Sequence, residues 1–415
     1  MTSGVDYLII GGGIAGTTAA ETLRKHDAES RIVIVSQEPH PLYARLELSK
    51  SDTLLGRTPE EKLWLRNPEW YASHHIELYS GKKAVALDHS LRQVTLDDGT
   101  ALPYRKLLLA IGVKPRMLGC PGEALAGIFL FSTLDDFRGI QRAIRSRAHG
   151  GRAVIIGGGF IAFEAADACR QAGFETTVLL RDPHFFSGSL KDRAGAMVTR
   201  ALMGHGIHLL PNEEIEEIVG EENVRAVRTK SGKELPADLV IVGIGASCSA
   251  DFVRKAGGEV RRGIVTDTTL KTNLPDVYAA GDCTEFFDET IGEHTVLGNW
   301  TSALLQGRAA ARAMLEDPRP PRTISIYSSS AFGLALVFLG DTALRTGRRT
   351  LDRVEPGSEN ITQLLLSGNH LVGAVLINRN QELPALTRLI RDRVDVSRAE
   401  SQLGDPSFDL QGFFS

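Results

Sequence analysis

Two glycine-rich turns have the residue types and spacing to hold phosphate. The first, Gly11-Gly12-Gly13-Ile14-Ala15-Gly16, follows the apolar run Tyr7-Leu8-Ile9-Ile10. In a Gly-x-Gly-x-x-Gly turn the first glycine makes the tight bend and the second lets backbone approach a pyrophosphate. The third lets helix and strand pack closely, and these roles fall to Gly11, Gly13 and Gly16. A helix starting there aims unpaired N–H groups and about half a positive charge at the phosphates. Glu38 stands just past the next strand, where an acid binds ribose hydroxyls. Ser36 fills the earlier strand-end slot, so a solvated surface role for Glu38 stays open. The second turn, Gly157-Gly158-Gly159-Phe160-Ile161-Ala162, follows the apolar run Ala153-Val154-Ile155-Ile156.

Each turn needs a strand before it and a helix after it, and the pattern supplies both. Residues 7–10 read as a buried strand, 17–26 as a helix and 31–35 as a parallel strand, a βαβ unit. The plan recurs with a strand at 152–156, a helix at 163–172 and a strand at 176–180. Alternating residues over 81–98, with the turn Asp97-Asp98-Gly99, predict an antiparallel meander. An apolar strand at 106–111 ends in Leu109-Ala110-Ile111-Gly112. A similar stretch at 213–239 precedes the apolar strand 239–242 and Gly243-Ile244-Gly245. Pro318, Pro320 and Pro321 mark a linker. Beyond it, strands are expected at 332–339, 361–366 and 371–378, and a helix at 384–393.

Composition narrows the function classes. The chain has 415 residues, 42% hydrophobic and 24% charged, with a formal net charge of −4. That balance fits a folded globular chain and gives no electrostatic reason for a nucleic-acid or anionic-membrane partner. No apolar run approaches the roughly 20 residues that span a bilayer. The start, Met1-Thr2-Ser3-Gly4-Val5-Asp6, lacks a basic leader region, so a cytoplasmic protein is expected. The cysteines, Cys120, Cys169, Cys248 and Cys283, include no Cys-x-x-Cys or Cys-x4-Cys pair. No local redox disulfide, zinc pattern or iron–sulfur ligand run follows from them, and no metal centre is expected.

Taken in order, Gly11–Gly16, Leu109–Gly112, Gly157–Ala162 with Glu164, and Asn273-Leu274-Pro275-Asp276-Val277-Tyr278-Ala279-Ala280-Gly281-Asp282 resemble the two-dinucleotide flavoprotein reductases, the pyridine-nucleotide disulfide oxidoreductases in the broad sense. The resemblance implies an α/β fold with two Rossmann-like domains and a smaller C-terminal α/β domain. Its implied boundaries are 1–113 and 243–317 for an FAD domain in two parts, 114–242 for an NAD(P)H domain, and 318–415 for the C-terminal domain. FAD would contact Gly11, Gly13, Gly16, Glu38, Arg45, Ala110, Gly112, Gly281, Asp282 and Trp300. NAD(P)H would contact Gly157, Gly159, Phe160, Ile161, Glu164, Arg181 and Gly245.

The subfamily turns on Pro41-Leu42-Tyr43-Ala44-Arg45-Leu46-Glu47-Leu48-Ser49-Lys50. Leu46 occupies the slot where one-cysteine relatives carry their thiol, so thiol–disulfide chemistry at the flavin is not expected. The segment is similar instead to the Tyr-x-Arg-x-x-Leu-Ser-Lys signature of ferredoxin and rubredoxin reductases. Residues 297–315 resemble their flavin-capping helix, whose first N–H groups would face the flavin C2 carbonyl. Ser132 departs from the arginine usual before Thr133, which puts one FAD contact in doubt. The resemblance implies hydride transfer from NAD(P)H to FAD and electron transfer onward to a small iron–sulfur protein. It implies Lys50 beside the flavin, paired with Glu164, and Phe160 over the flavin face; core packing competes for Phe160 and Trp300. The rival readings are an NAD(P)H oxidase or quinone reductase, and a redox-responsive binding module. Leu180, Arg181 and Asp182 at the second strand end leave NADH against NADPH undecided. A homodimer is an option that the sequence leaves open.

Overall fold

The computed structural model describes residues 4–147, 150–289, 291–321, 324–355 and 357–414. Met1, Thr2 and Ser3, on which the leader reading partly rests, lie outside the described residues. The chain clusters into two compact units. The first holds the residues up to Ala44, Glu61–Lys114 and Ala246–Ser325; the second holds Arg45–Glu60, Pro115–Gly245 and the residues from Ile326 onward.

In the first unit the strand Val5–Ile10 lies between Ile32–Ser36 and Ala101–Leu109, parallel to both. Ile76–Ser80 extends the sheet beyond Ile32–Ser36. VDYLII and IVIVS are almost unbroken apolar runs, as strands covered on both faces require. The helix Ile14–His26 buries Ala15, Ala19, Ala20 and Leu23 and carries Arg24, Lys25 and His26 in its last turn. Cations there complement the negative end of the helix dipole. The small residues let the helix Trp300–Met314 approach closely. A Cβ on Gly307 would stand 2.2 Å from the Ala15 carbonyl oxygen. Ile9, Leu23, Ile34, Leu108, Ala310 and Met314 share one core cluster.

The meander expected over 81–98 and the strand expected at 106–111 are not separate. The meander and the strand at 106–111 use a single strand, Ala101–Leu109. Its first residues pair antiparallel with Gln93–Leu96, and its last residues pair in parallel with Val277–Ala279. Leu102, Tyr104 and Lys106 are buried while Ala101, Pro103 and Arg105 are exposed; Leu107, Leu108 and Leu109 are all buried. The sequence changes texture where burial passes from one face to two.

In the second unit five parallel strands run in the order His208–Leu210, Glu175–Leu179, Arg152–Ile156, Leu239–Val242, Ile128–Leu130. An antiparallel sheet of Ile215–Gly220, Val224–Thr229 and Glu234–Pro236 accompanies it. A further antiparallel sheet has the order Ile326–Ala331, Leu334–Gly340, His370–Ile377, Ile361–Ser367, Arg349–Arg353. The helix Leu383–Arg391 packs on it through Leu386, Leu389 and Ile390. The strand expected from Phe332 starts at Leu334. Phe332 (φ 53°) and Gly333 (φ 72°) form a two-residue hairpin turn that closes Ala331 on Leu334. The strand before that turn, Ile326–Ala331, was not anticipated. Among the described residues no helix is long and apolar enough to cross a membrane.

Candidate active site

The first glycine turn is built as its spacing demands. Gly11 adopts φ 120°, and a Cβ on it would stand 2.0 Å from the Ala110 carbonyl oxygen. A Cβ on Gly16 would stand 2.0 Å from the Gly11 carbonyl oxygen, so these two positions are sealed by backbone. Gly13 is different: nothing lies within 4 Å of an added Cβ. It is the N-cap of Ile14–His26 and supplies no side-chain cap. The helix starts at Ile14 rather than Thr17, which places Gly16 inside its first turn. The first intrahelical bond is Thr17 N–H to the Gly13 carbonyl, so the amides of residues 14–16 have no helical acceptor. Room and donors together fit a pyrophosphate.

Of the other first-unit candidates, Ala110 lies against Gly11 and Gly281 against Ala15. Glu38 is half-buried and accepts a 2.6 Å hydrogen bond from the Tyr43 hydroxyl. Ala110 N–H donates to the Ile10 carbonyl, and Gly112 takes φ 63°. Gly281 takes φ 88°, its N–H donates to Gln306 Oε1 at 2.8 Å, and half-buried Asp282 follows it. The helix expected to cap the flavin starts at Trp300, which is half-buried. Asn299 caps that helix and takes the Ser302 N–H at 2.9 Å. That N–H is therefore already engaged, which narrows the expected row of donors at this terminus.

The second glycine turn, in the second unit, repeats the geometry. A Cβ on Gly157 would stand 2.3 Å from the Gly243 carbonyl oxygen, whereas Gly159 has nothing within 4 Å. Gly159 caps Phe160–Gln171 without a side-chain hydrogen bond. Gly243 fits against Ile161 and Ala162, and Gly245 takes φ 92°. Arg181 is 76% exposed and lies 3.7 Å from Asp182, so each charge faces both its neighbour and water. Arg45, assigned to FAD by resemblance, donates from Nη1 to the Ser132 carbonyl. Phe160 sits in a ring cluster: Tyr327 at 3.8 Å between centroids, Phe186 at 4.8 Å and Phe338 at 4.8 Å.

Lys50 and Glu164 meet within the second unit. Glu164 lies on the second turn of Phe160–Gln171 and is 2% exposed; Lys50 Nζ is 2.6 Å from its Oε1. Three residues missed by sequence reasoning complete the site. Ser49 donates to Glu164 Oε2, and Ser329 donates to Oε1 at 2.7 Å. Tyr327 lies with its ring centroid 5.8 Å from Lys50 Nζ. Next door, Ser51 and Gln171 donate to Asp167, one turn along the same helix. The signal for the serines was their position on both sides of Lys50. For Ser329 the sequence held none, because a serine run does not look like a buried strand.

Burial disfavours the thiolate at all four cysteines. Burial pushes Cys169 and Cys248 up to about 12 and Cys283 up to about 11, and it raises Cys120 as well. Thiolate is the nucleophilic form, so none of the four is poised to attack or relay at neutral pH. Leu46, which the resemblance puts where one-cysteine relatives carry a thiol, lies in the short 3-10 turn Arg45–Glu47.

A family model described as pyridine nucleotide-disulphide oxidoreductase matches residues 5–307. The ferredoxin–NAD(+) reductase component of the biphenyl dioxygenase system of Paraburkholderia xenovorans (strain LB400) is 33% identical over 394 residues, covering 95% of each chain. The rubredoxin–NAD(+) reductase of Pseudomonas putida is 28% identical, covering 91% of this chain and 97% of its own. Among solved structures, the covalent putidaredoxin reductase–putidaredoxin complex superposes with a TM-score of 0.91 at 28% identity, covering 100% of this chain and 99% of that one.

Proposed function

This chain belongs to the pyridine nucleotide-disulphide oxidoreductase family, and on that premise we propose that it is an FAD-dependent NAD(P)H reductase serving a small iron–sulfur protein. The reading is supported by two open glycine-capped helix termini, at Gly13 and Gly159, together with four thiols at which burial disfavours the thiolate. Bound FAD would supply hydride acceptance and single-electron release, chemistry that side chains cannot provide.

The chain's own residues bind, orient and charge the site. The Gly13 terminus holds the FAD pyrophosphate and Glu38 the adenosine ribose; Gly281 and Asp282 take the ribityl chain. The Gly159 terminus holds the pyrophosphate of NAD(P)H. Lys50 supplies positive charge toward the ring that becomes electron-rich, and Glu164 fixes the direction of that charge. The relatives' names, ferredoxin–NAD(+) reductase and rubredoxin–NAD(+) reductase, support an iron–sulfur acceptor. We place the protein in the cytoplasm, where four unpaired thiols are stable.

The test is anaerobic turnover of the yellow holoprotein with NADH or NADPH and an oxidised rubredoxin or two-iron ferredoxin. Many turnovers of the iron–sulfur protein are expected, with slow oxygen uptake when it is left out. Fast oxygen consumption without a protein acceptor moves the assignment to an oxidase. Slow reduction accompanied by a change of oligomeric state moves it to a binding module.

Coenzyme choice gives a further expected result. Arg181 and Asp182 directly follow the strand-end residue Leu180 and carry opposite charges. Arg181→Ala should lower kcat/KM for NADPH about tenfold while changing that for NADH little, because a guanidinium favours a 2′-phosphate. An unchanged NADPH-to-NADH ratio removes Arg181 from the coenzyme site.

A further inference from the structure

The strand Ile326–Ala331 lies outside every segment to which the glycine motifs give a role, yet three of its consecutive residues touch the Lys50–Glu164 pair or the ring beside it. Ser329 is 3% exposed and donates to Glu164 Oε1 at 2.7 Å, the same oxygen that Lys50 reaches at 2.6 Å. Ser328 offers its carbonyl to Lys50 Nζ at 3.4 Å. Tyr327, two positions from Ser329 and so on the same strand face, packs its ring at a tilt against Phe160.

We propose that Ser329 is a positioning residue for the reaction: its hydroxyl, together with that of Ser49, locks the Glu164 carboxylate so that the carboxylate holds Lys50 in one direction. The inference rests on the assignment of Lys50 to the flavin made above. The physical reason is the fixed supply of donors. A buried ionised carboxylate accepts hydrogen bonds on both oxygens and is unfavourable with either left bare. Ser49 serves Oε2, and Ser329 shares Oε1 with Lys50. With both edges pinned, the carboxylate plane cannot turn about its final bond. Without Ser329 the hold on Oε1 falls to Lys50 alone, whose side chain is 27% exposed and has water as an alternative partner, while Ser49 keeps only Oε2. The antiparallel C-terminal sheet thereby reaches the chemistry through one hydroxyl.

The experiment compares holoprotein carrying Ser329→Ala, Ser329→Thr, Lys50→Met and the Lys50→Met/Ser329→Ala pair. The readouts are the limiting rate of anaerobic flavin bleaching by NADH, the NADH dissociation constant, and the midpoint potential of bound FAD by dye equilibration. Ser329→Ala should slow bleaching about tenfold, the usual scale for losing one hydrogen bond to a charged group. The NADH constant should stay within about twofold, and the potential should move in the same direction as in Lys50→Met. Ser329→Thr keeps the hydroxyl and should restore most of the rate. In the Lys50→Met background Ser329→Ala should add almost nothing, because its effect passes through Lys50.

A parental rate in Ser329→Ala, or an effect that multiplies with that of Lys50→Met, overturns the proposal and leaves the Lys50 assignment standing. A parental rate in Lys50→Met overturns that assignment first and this inference with it. Should Ser329→Ala fail to hold FAD, Ser329→Cys replaces it: a similar volume with a weak donor, expected to fall between Thr and Ala, and a parental rate there overturns the proposal.

Discussion

Gly13→Val should fold as the parent does and emerge from purification colourless, with its affinity for FAD lowered about a hundredfold or more. Gly13 takes φ −74°, a conformation open to any residue, and nothing stands within 4 Å of an added Cβ. The protein itself therefore tolerates a side chain at that position. The pyrophosphate does not, because its oxygens must come within hydrogen-bond distance of the amides that follow Gly13. Neighbouring glycines behave differently. Gly16→Ala puts its methyl 2.0 Å from the Gly11 carbonyl oxygen, so the helix must leave the sheet and stability falls by about 1–3 kcal/mol or more. The comparison is made with urea midpoints of the FAD-free proteins and with FAD titrations. A Gly13→Val chain that stays yellow contradicts the assignment of this terminus. A matched change, Gly159→Val, should leave FAD in place and weaken NAD(P)H instead.

Lys50→Met should keep FAD and its affinity for NADH but slow anaerobic flavin reduction about a hundredfold, the scale of removing one charged group aimed at developing negative charge. Methionine retains the length and apolar stem of lysine without the ammonium. Glu164 keeps the hydroxyls of Ser49 and Ser329 in the variant, so its carboxylate is not left bare and the helix Phe160–Gln171 stays packed. The measurement is rapid-mixing absorbance at the flavin band across NADH concentrations. A parental limiting rate and potential remove Lys50 from the chemistry.

The features legible in the sequence are those fixed by local physics. The strands Val5–Ile10 and Arg152–Ile156 announce themselves as buried apolar runs. Gly11, Gly16 and Gly157 are forced by backbone atoms 2.0–2.3 Å from where a Cβ would sit. Ile326–Ala331 was not legible. Its sequence, IYSSSA, has small hydroxyl residues on both faces, and Ser329 is buried because it meets Glu164 rather than because it is apolar. Lys50 and Glu164 are far apart in sequence, and no spacing rule joins them; only the resemblance suggested the pair. The double use of Ala101–Leu109 is hidden in the sequence for a related reason. Strand pairing is a property of partners distant in sequence, and the partners Gln93–Leu96 and Val277–Ala279 come from opposite directions along the chain.

In the proposed function, electrons leave the flavin with no sulfur relay between nicotinamide and acceptor. An anaerobic reductive titration of the purified holoprotein, before and after alkylation of its thiols, tests this most directly. A single equivalent of NADH or NADPH per FAD should bleach the flavin completely, with no further uptake. Alkylation should change neither that stoichiometry nor reoxidation by an iron–sulfur protein. Uptake of a second equivalent per FAD, abolished by alkylating the reduced protein, contradicts the account, as does a colourless protein that FAD cannot reconstitute.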